Sequence, residues 1–140
     1  MIRNATLSDI PRLLDMGDRF ADRARLADHV GWDRESGEKT FRYLIESPDG
    51  VLVISDDGAA GGLAHPHPFN LSMRVGQEMF WWSEGKGGLA LLTALEDEAR
   101  SIGVLYWTMI TLEAIRPQAT GKLYQRRGYT PLEHSYIKRL

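Results

Sequence analysis

The chain has 140 residues, about the length of one domain, and its 43% hydrophobic and 26% charged residues are typical of a soluble globular protein, so we expect a single domain spanning residues 1–140. The net charge of −2 lacks the basic excess of most duplex-binding domains, which disfavours nucleic-acid binding without excluding it. There is no cysteine, which excludes disulfides and thiolate metal sites, and no apolar leader or membrane-spanning segment is visible, so we expect a cytoplasmic protein that contacts no membrane.

The first 50 residues predict one short strand and two helices. Residues 2–5 favour a strand, and apolar residues at helical spacing then predict a helix that begins near Ser8. Residues 19–37 are polar and irregular. A second helix is predicted over residues 38–46, where a Ser-Pro-Asp-Gly sequence ends it.

Most of the predicted strands lie after residue 50, in short apolar runs bounded by glycine or proline. They cover residues 51–55, 59–64, 77–82 and 104–112, followed by two short strands within 129–140. The prolines of 65–68 are expected to interrupt the sheet, because proline donates no ladder hydrogen bond. Helices are predicted over residues 89–101 and from Pro117 to about residue 127. This order predicts an α/β (α+β) domain with a single mixed, mostly antiparallel sheet of six to seven strands and about four helices.

The segment Phe-Trp-Trp-Ser-Glu-Gly-Lys-Gly-Gly-Leu, residues 80–89, joins a strand directly to a helix through glycines. Unpaired backbone N–H groups and the positive end of the helix then meet at one place, which favours phosphate binding, and Lys86 adds a cation. The alternative is a glycine-rich turn without a ligand. Neither of the two common nucleotide-binding fingerprints, G-x-x-x-x-G-K-[ST] and G-x-G-x-x-G, is present.

A second informative segment, Leu-Tyr-Gln-Arg-Arg-Gly-Tyr at 123–129, ends the last predicted helix. Together with the opening residues 2–14 and the glycine turn, it resembles the GNAT superfamily of acyl-CoA-dependent N-acetyltransferases over essentially the whole chain. The aromatic strand with its short glycine turn is most similar to small phage or prophage members. The resemblance implies the GNAT fold, acetyl-CoA as co-substrate, no metal, and transfer of the acetyl group to a primary amine by direct attack in a ternary complex.

The resemblance also implies roles for individual residues. The cofactor would be bound by Phe80, Trp81, Trp82, Ser83, Gly85, Lys86, Gly87, Gly88 and Leu89. Tyr124 matches the tyrosine that protonates the departing CoA sulfur in many members, with a packing or cofactor-contact role as the alternative. Glu78 is the first candidate for the base, and strand alternation predicts that it shares a face with Phe80 and Trp82.

Other bases remain open, and the turn departs from the family pattern. Glu113 is a second candidate base, and His65 and His67 are further ones, although without a third ligand they predict no metal site. The family turn usually reads [QR]-x-x-G-x-[GA], whereas Ser83 stands at its first position and Lys86 at its inner glycine. Two alternatives follow: Lys86 supplies the missing contact, or the pyrophosphate binds in a different position.

Two other functions fit the same residues. One is a CoA-binding sensor or interaction module without turnover, and the other is an acetyltransferase that acts on a protein, a tRNA or modified DNA. A small acceptor would enter between the fourth and fifth strands beside residues 19–37, whose arginines suggest an acceptor with a carboxylate or a phosphate. The residues around Tyr136 allow a homodimer formed by pairing of the last strands.

Overall fold

The computed structural model describes all residues, Met1–Leu140, and contains one five-stranded sheet with helices on both faces. The strands are β1 (Arg3–Asn4), β2 (Gly50–Ile54), β3 (Gly58–His67), β4 (Asn70–Ser83) and β5 (Tyr106–Thr108). The helices are α1 (Ile10–Arg23), α2 (Arg34–Glu46), α3 (Gly88–Ser101) and α4 (Pro117–Arg126). The α/β class and the mixed sheet are confirmed, whereas the predicted count of six to seven strands is too high.

The strands lie in the order β1-β2-β3-β4-β5, and only the last pair is parallel. Short turns join β2 to β3 and β3 to β4, which permits antiparallel pairing. The chain instead leaves β4 through α3 and returns as β5, and such a crossover connection allows a parallel pair. The sheet is therefore mostly antiparallel, as expected.

Alternation along β2 divides the core between the two faces of the sheet. Leu52 and Ile54 pack with residues of α1 and α2, whereas Val51 and Val53 pack against α3. Each fully buried aliphatic side chain contributes roughly 1.5 to 3 kcal/mol to folding. No helix is both long enough and apolar enough to cross a lipid bilayer.

The hairpin of β3 and β4 is longer than predicted at both strands. β3 continues through Pro66, which pairs with Arg74, so the expected interruption at residues 65–68 is wrong. β2 pairs with β3 only as far as Leu63, and beyond that point β3 has a neighbour on one side alone. A proline there faces no strand on its other side, so the sheet tolerates the missing donor.

The second helix begins earlier than predicted. It starts at Arg34 rather than at residue 38, because the Asp33 carboxylate accepts a hydrogen bond from the backbone N–H of Ser36 and caps the helix. The Asp33 cap lies inside the segment that the sequence suggested to be irregular.

The part of the chain that follows α3 forms fewer strands than predicted. β5 covers three residues instead of residues 104–112, because the chain diverges from β4 after Thr108. Residues 129–140 form no strand, and those after Thr130 are all exposed. A strand needs a partner edge to satisfy its backbone, and a β5 of three residues offers little of one. The predicted pairing of the last strands across a homodimer stays a prediction.

Candidate active site

The candidate active site is a cleft that opens where β4 and β5 separate. β5 pairs with β4 only from Val75 to Gln77, so the later residues of β4 have β3 on one side and no strand on the other. The register of β3 and β4 shifts between Gly61 and Gly62, and Met79 is the extra residue of a β-bulge. A bulge bends its strand and increases the local twist, which is consistent with the separation of the two strands at this point.

Glu78 lies in this cleft with only 4% of its surface exposed. Its Oε1 accepts a hydrogen bond from the backbone N–H of Ile110 at 2.9 Å, and this contact spans the gap between the diverging chains. Glu78 is paired with Gly62 and Phe80 with Gly61, and neighbouring residues of a strand point to opposite faces. The prediction that Glu78 shares a face with Phe80 and Trp82 is therefore wrong, because the bulge at Met79 inverts the alternation.

Tyr124 of α4 brings a hydroxyl group to the same carboxylate. Its side chain is buried, and its hydroxyl donates to the carbonyl oxygen of Ile110 at 2.7 Å and lies 3.4 Å from Oε1 of Glu78. A phenol has one proton, so the shorter bond to Ile110 is the stronger of the two. The rings of Trp81 and Tyr129 flank Tyr124 with centroids 6.0 and 5.6 Å away, which fixes its position.

Burial sets the ionisation of both groups. Removal from water raises the pKa of Glu78 to about 7, although the hydrogen bonds from Ile110 and Tyr124 oppose the increase. Burial also raises the pKa of Tyr124 far above its usual value, and the negative charge of Glu78 adds to the effect. The cleft thus contains a carboxyl group that changes charge near neutral pH beside a phenol that keeps its proton.

The turn between β4 and α3 offers free donors at its backbone. The N–H groups of residues 85–90 have no acceptor within the chain, and Gly87 at the start of α3 has no side-chain cap. The surrounding bonds shape the turn: Trp81 Nε1 donates to the Gly88 carbonyl oxygen at 3.0 Å, and Ser83 Oγ donates to that of Gly85 at 3.3 Å. Such a set of free amides at a helix N-terminus fits a phosphate group.

One feature of the turn opposes anion binding. The carboxylate of Asp57, from the hairpin between β2 and β3, lies against Gly85, where a Cβ atom would overlap its Oδ2. The backbone carbonyl of Asp57 also accepts from the N–H of Glu84 at 2.8 Å. Lys86 is exposed beside the same turn. A diphosphate would therefore meet backbone donors and one cation, but also a nearby negative charge.

The aromatic residues predicted to contact a cofactor lie on two different faces. Phe80 and Trp82 pack toward α1 and α2, with ring centroids 5.5 Å from Phe41 and 6.2 Å from Phe20 respectively. Trp81 packs on the opposite face, toward α3 and Tyr124. Leu89 is half-exposed in the first turn of α3. The side chains of residues 80–82 therefore do not form one cofactor-binding surface. The feature that these residues share along the cleft is the backbone edge of β4.

The other candidate bases are not joined to the Glu78–Tyr124 pair. Glu113 is exposed beyond β5. His65 is exposed, although it lines a small cavity of 230 Å³ together with Glu78, and the ring of His67 accepts from the backbone N–H of Phe69. No group of three or more His, Cys, Asp or Glu side chains is placed to hold a metal ion.

The sequence analysis missed a partly buried hydrogen-bond network beside Tyr124. Arg127 donates to Glu96 Oε1 at 2.7 Å and to Thr93 Oγ1 at 2.9 Å. The hydroxyl of Tyr129 donates to the other oxygen of Glu96 at 2.7 Å. These bonds tie the end of α4 to α3. The one feature of the sequence that could have indicated this network is the charged Glu96, which lies in the otherwise apolar pattern of α3.

No protein-family model matches the chain, and no curated protein matches it significantly. A ribosomal-protein-alanine N-acetyltransferase from Brucella melitensis biovar Abortus 2308 matches with a TM-score of 0.69 and 19% identity, over 100% of this chain and 99% of that one. A predicted acetyltransferase from Clostridium acetobutylicum, solved with acetyl-CoA, matches with a TM-score of 0.71 and 17% identity, over 99% of this chain and 95% of that one.

A third similar structure is an aminoglycoside acetyltransferase from an uncultured soil metagenomic sample. Its TM-score is 0.71 and its identity 12%, over 100% of this chain and 96% of that one. At such low identity the three matches concern the arrangement of the backbone, and they cover it from end to end. The chain therefore has the GNAT fold, which these acetyltransferases share.

Proposed function

We propose that residues 1–140 form an N-acetyltransferase of the GNAT superfamily, which acts in the cytoplasm and transfers the acetyl group of acetyl-CoA to a primary amine. The observation that carries this proposal is the contact of a buried carboxyl group with a buried phenol, Glu78 with Tyr124, where β4 and β5 diverge. The fold shared with known acetyltransferases supports it. The reaction is direct attack of the amine on the thioester within a ternary complex.

In this proposal acetyl-CoA binds along β4 and the turn that follows it. The free N–H groups of residues 85–90 hold the pyrophosphate, with Lys86 as the nearby cation. The pantetheine arm pairs with the open edge of β4 as an added strand, which uses backbone groups that no other strand occupies. The contacting residues are those that the sequence indicated, with Phe80 and Trp82 contributing their backbone because their rings pack toward α1 and α2: Phe80, Trp81, Trp82, Ser83, Gly85, Lys86, Gly87, Gly88 and Leu89.

Glu78 acts as the base. An alkylammonium group has a pKa of about 10 and must lose a proton before its nitrogen can attack. A carboxylate with a pKa of about 7 is ionised in part at neutral pH and is more basic than an ordinary glutamate. The amine nitrogen then forms a bond to the carbonyl carbon, and the bond from that carbon to sulfur breaks as the thiolate leaves.

Tyr124 returns a proton to the sulfur. The negative charge of Glu78 contributes to the raised pKa of the phenol, so protonation of Glu78 by the amine makes Tyr124 a better acid when the thiolate departs. The 3.4 Å contact lets the proton on Glu78 pass to Tyr124 afterwards. Of the two protons that the ammonium nitrogen gives up, one ends on the CoA sulfur and the other in solvent.

The proposal is tested first by calorimetric titration with acetyl-CoA, CoA and ATP. Micromolar binding of the first two but not of ATP is expected. Release of the CoA thiol is then measured with a panel of primary amines for the wild type, Glu78→Gln and Tyr124→Phe. The exposed residues Glu113 and Tyr136 supply matched controls, Glu113→Gln and Tyr136→Phe. Full activity in Glu78→Gln, or loss in Glu113→Gln alone, would contradict the assignment of the base.

A second candidate is a CoA-binding module without turnover. The observation that favours it is the 2.7 Å bond from the Tyr124 hydroxyl to the Ile110 carbonyl, which occupies the proton that catalysis would use. In that case CoA binds, no amine is acetylated, and Tyr124→Phe has the same affinity for CoA as the wild type. An acetyltransferase for a protein, tRNA or modified DNA would instead acetylate only the macromolecule.

A further inference from the structure

A large cavity lies between α1, α2 and the end of β4. Its volume is about 360 Å³, and eleven of its seventeen lining residues are hydrophobic. The bulkiest side chains of its wall are Met16, Phe20, Trp32, Phe41, Phe80 and Trp82. Ligand pockets typically have volumes from about 300 Å³ upward, and an engineered apolar cavity of about 150 Å³ binds benzene. The space is therefore sufficient for an aromatic group or an alkyl chain.

Two helical glycines build one wall of this cavity by making room for Trp32. A Cβ atom on Gly17 of α1 would lie 2.8 Å from the indole ring, and one on Gly37 of α2 would overlap it. The indole N–H donates to Asp18 at 2.7 Å, which fixes the orientation of the ring. Glycine destabilises a helix interior by about 1 kcal/mol relative to alanine, so the aromatic wall is obtained at a cost to both helices.

The cavity carries almost no charge. Asp33 is the one charged side chain in its lining, and its carboxylate is exposed at the mouth and occupied as the cap of α2. Three of the four arginines that suggested an acidic acceptor are paired elsewhere, Arg19 with Glu84, Arg25 with Asp28 and Arg34 with Asp18, and Arg23 is exposed and does not line the cavity. An acidic group would find no free cation among the lining residues, whereas an apolar group would be desolvated against aromatic rings.

The cavity reaches the candidate active site at the bulge. Met79 lines both this cavity and the smaller one that contains Glu78. A molecule that fills the large cavity therefore meets, at the Met79 end, the residue next to the candidate base. This arrangement fits an amine whose body lies between α1 and α2 and whose nitrogen extends past Met79, beside the open edge of β4, toward Glu78 on the other face of the sheet.

From these observations we infer that the acceptor is a primary amine that carries an extended alkyl or aromatic group, and that this group fills the cavity beside Trp32. The inference rests on the proposed function for the reaction at the nitrogen, but the binding of the apolar group does not depend on turnover. An acceptor with many hydroxyl or charged groups does not fit, because its polar atoms would be buried without partners.

The expected gain in affinity follows from burial of the alkyl chain of the amine. Each buried CH₂ group contributes about 0.8 kcal/mol, which corresponds to a factor of about four in affinity. From ethylamine to hexylamine, four methylene groups are added, so the dissociation constant is expected to fall roughly 200-fold.

Binding is measured without cofactor, by tryptophan fluorescence, for ethylamine, butylamine, hexylamine and phenylethylamine. Trp32 and Trp82 line the cavity and report its occupation. Turnover of the same amines is measured by thiol release with acetyl-CoA. An alanine-starting tripeptide and an aminoglycoside serve as polar acceptors. In Thr40→Phe a ring enters the cavity, whereas Lys39→Phe places the same ring on the solvent side of α2 and is the matched control.

A dissociation constant that falls steeply from ethylamine to hexylamine supports the inference. A fall of less than tenfold between these two amines overturns it. Thr40→Phe is expected to weaken hexylamine at least tenfold and ethylamine less than twofold, with no change in Lys39→Phe. The wild-type series decides the question if Thr40→Phe does not fold. Chain-length-dependent binding without turnover would support the cavity and refute the proposed enzyme, whereas preferred turnover of the tripeptide or the aminoglycoside would keep the enzyme and refute the apolar acceptor.

Discussion

The substitution Glu78→Gln is expected to stabilise the protein above neutral pH while it abolishes activity. Glutamine keeps an oxygen that accepts the 2.9 Å hydrogen bond from Ile110 but removes the charge. An ordinary glutamate has a pKa of about 4.3, whereas burial raises that of Glu78 to about 7. The folded state thus holds this proton more tightly than the unfolded state does.

The sign of the pH effect follows from linkage between proton binding and folding. Below about pH 4 both states carry the proton, and Glu78 imposes no penalty. As the pH rises from about 4.3 to 7, the unfolded state releases the proton first, so the free energy of unfolding falls. Above pH 7 the loss is complete. At about 1.4 kcal/mol for each unit of pKa, the shift from about 4.3 to about 7 amounts to about 4 kcal/mol, of which about 3 kcal/mol is lost between pH 4.5 and pH 8.5.

Thermal unfolding of the wild type and of Glu78→Gln at pH 4.5 and pH 8.5 tests this value. The difference between the two proteins should change by about 3 kcal/mol between these pH values, or about 10 °C in Tm for a chain of this size. Comparison across pH cancels any constant effect of the amide on packing. The exposed Glu113→Gln serves as control and should show no such change.

A difference that is the same at both pH values would refute the reasoning, because it would mean that Glu78 ionises like a solvated glutamate. The activity of the wild type carries the same signature. Because the carboxylate is the base, kcat/KM should rise with pH up to about 7, and this dependence should be absent from any residual activity of Glu78→Gln.

Three further predictions concern the other parts of the molecule. Tyr124→Phe should lower kcat by roughly 10²- to 10⁴-fold with little change in the Kd of CoA; a kcat within threefold of the wild type would assign the hydroxyl to packing. Asp57→Asn should tighten CoA binding roughly five- to tenfold in low-salt calorimetry, because it removes a negative charge beside Gly85; an unchanged Kd would place the pyrophosphate elsewhere. Deletion of residues 131–140, all exposed, should change Tm by less than about 2 °C; a larger fall, with a smaller mass in size-exclusion chromatography, would show that they pair in a homodimer.

Much of the fold could be predicted because it depends on neighbouring residues. The apolar positions of α3 share one face in the sequence, and Leu91, Leu92 and Leu95 are fully buried in the structure. The glycines after β4 predicted an abrupt change from strand to helix, and α3 begins at Gly88. Helical periodicity and turn residues are properties of segments of a few residues, so a single sequence displays them directly.

The incorrect predictions concern features that depend on pairing between strands distant in the sequence. The alternation of β4 placed Glu78 on the wrong face, because one extra residue at Met79 shifts the register and nothing in the local pattern marks it. Residues 129–140 have no strand edge to pair with, so they form no strand, and those from Thr130 onward are exposed.

By itself the sequence determined the order of helices and strands as far as α4 and the glycine turn, and it placed Tyr124 and Glu78 among the candidates for the acid and the base. Only the tertiary structure decided that Tyr124 and Glu78, 46 positions apart, lie in contact, and that the Asp57 carboxylate reaches the turn from another hairpin. It also decided that two glycines make room for Trp32 beside an apolar cavity. Local propensities choose the elements, but the proximity and burial that set pKa values and cavities arise only when distant segments pack together.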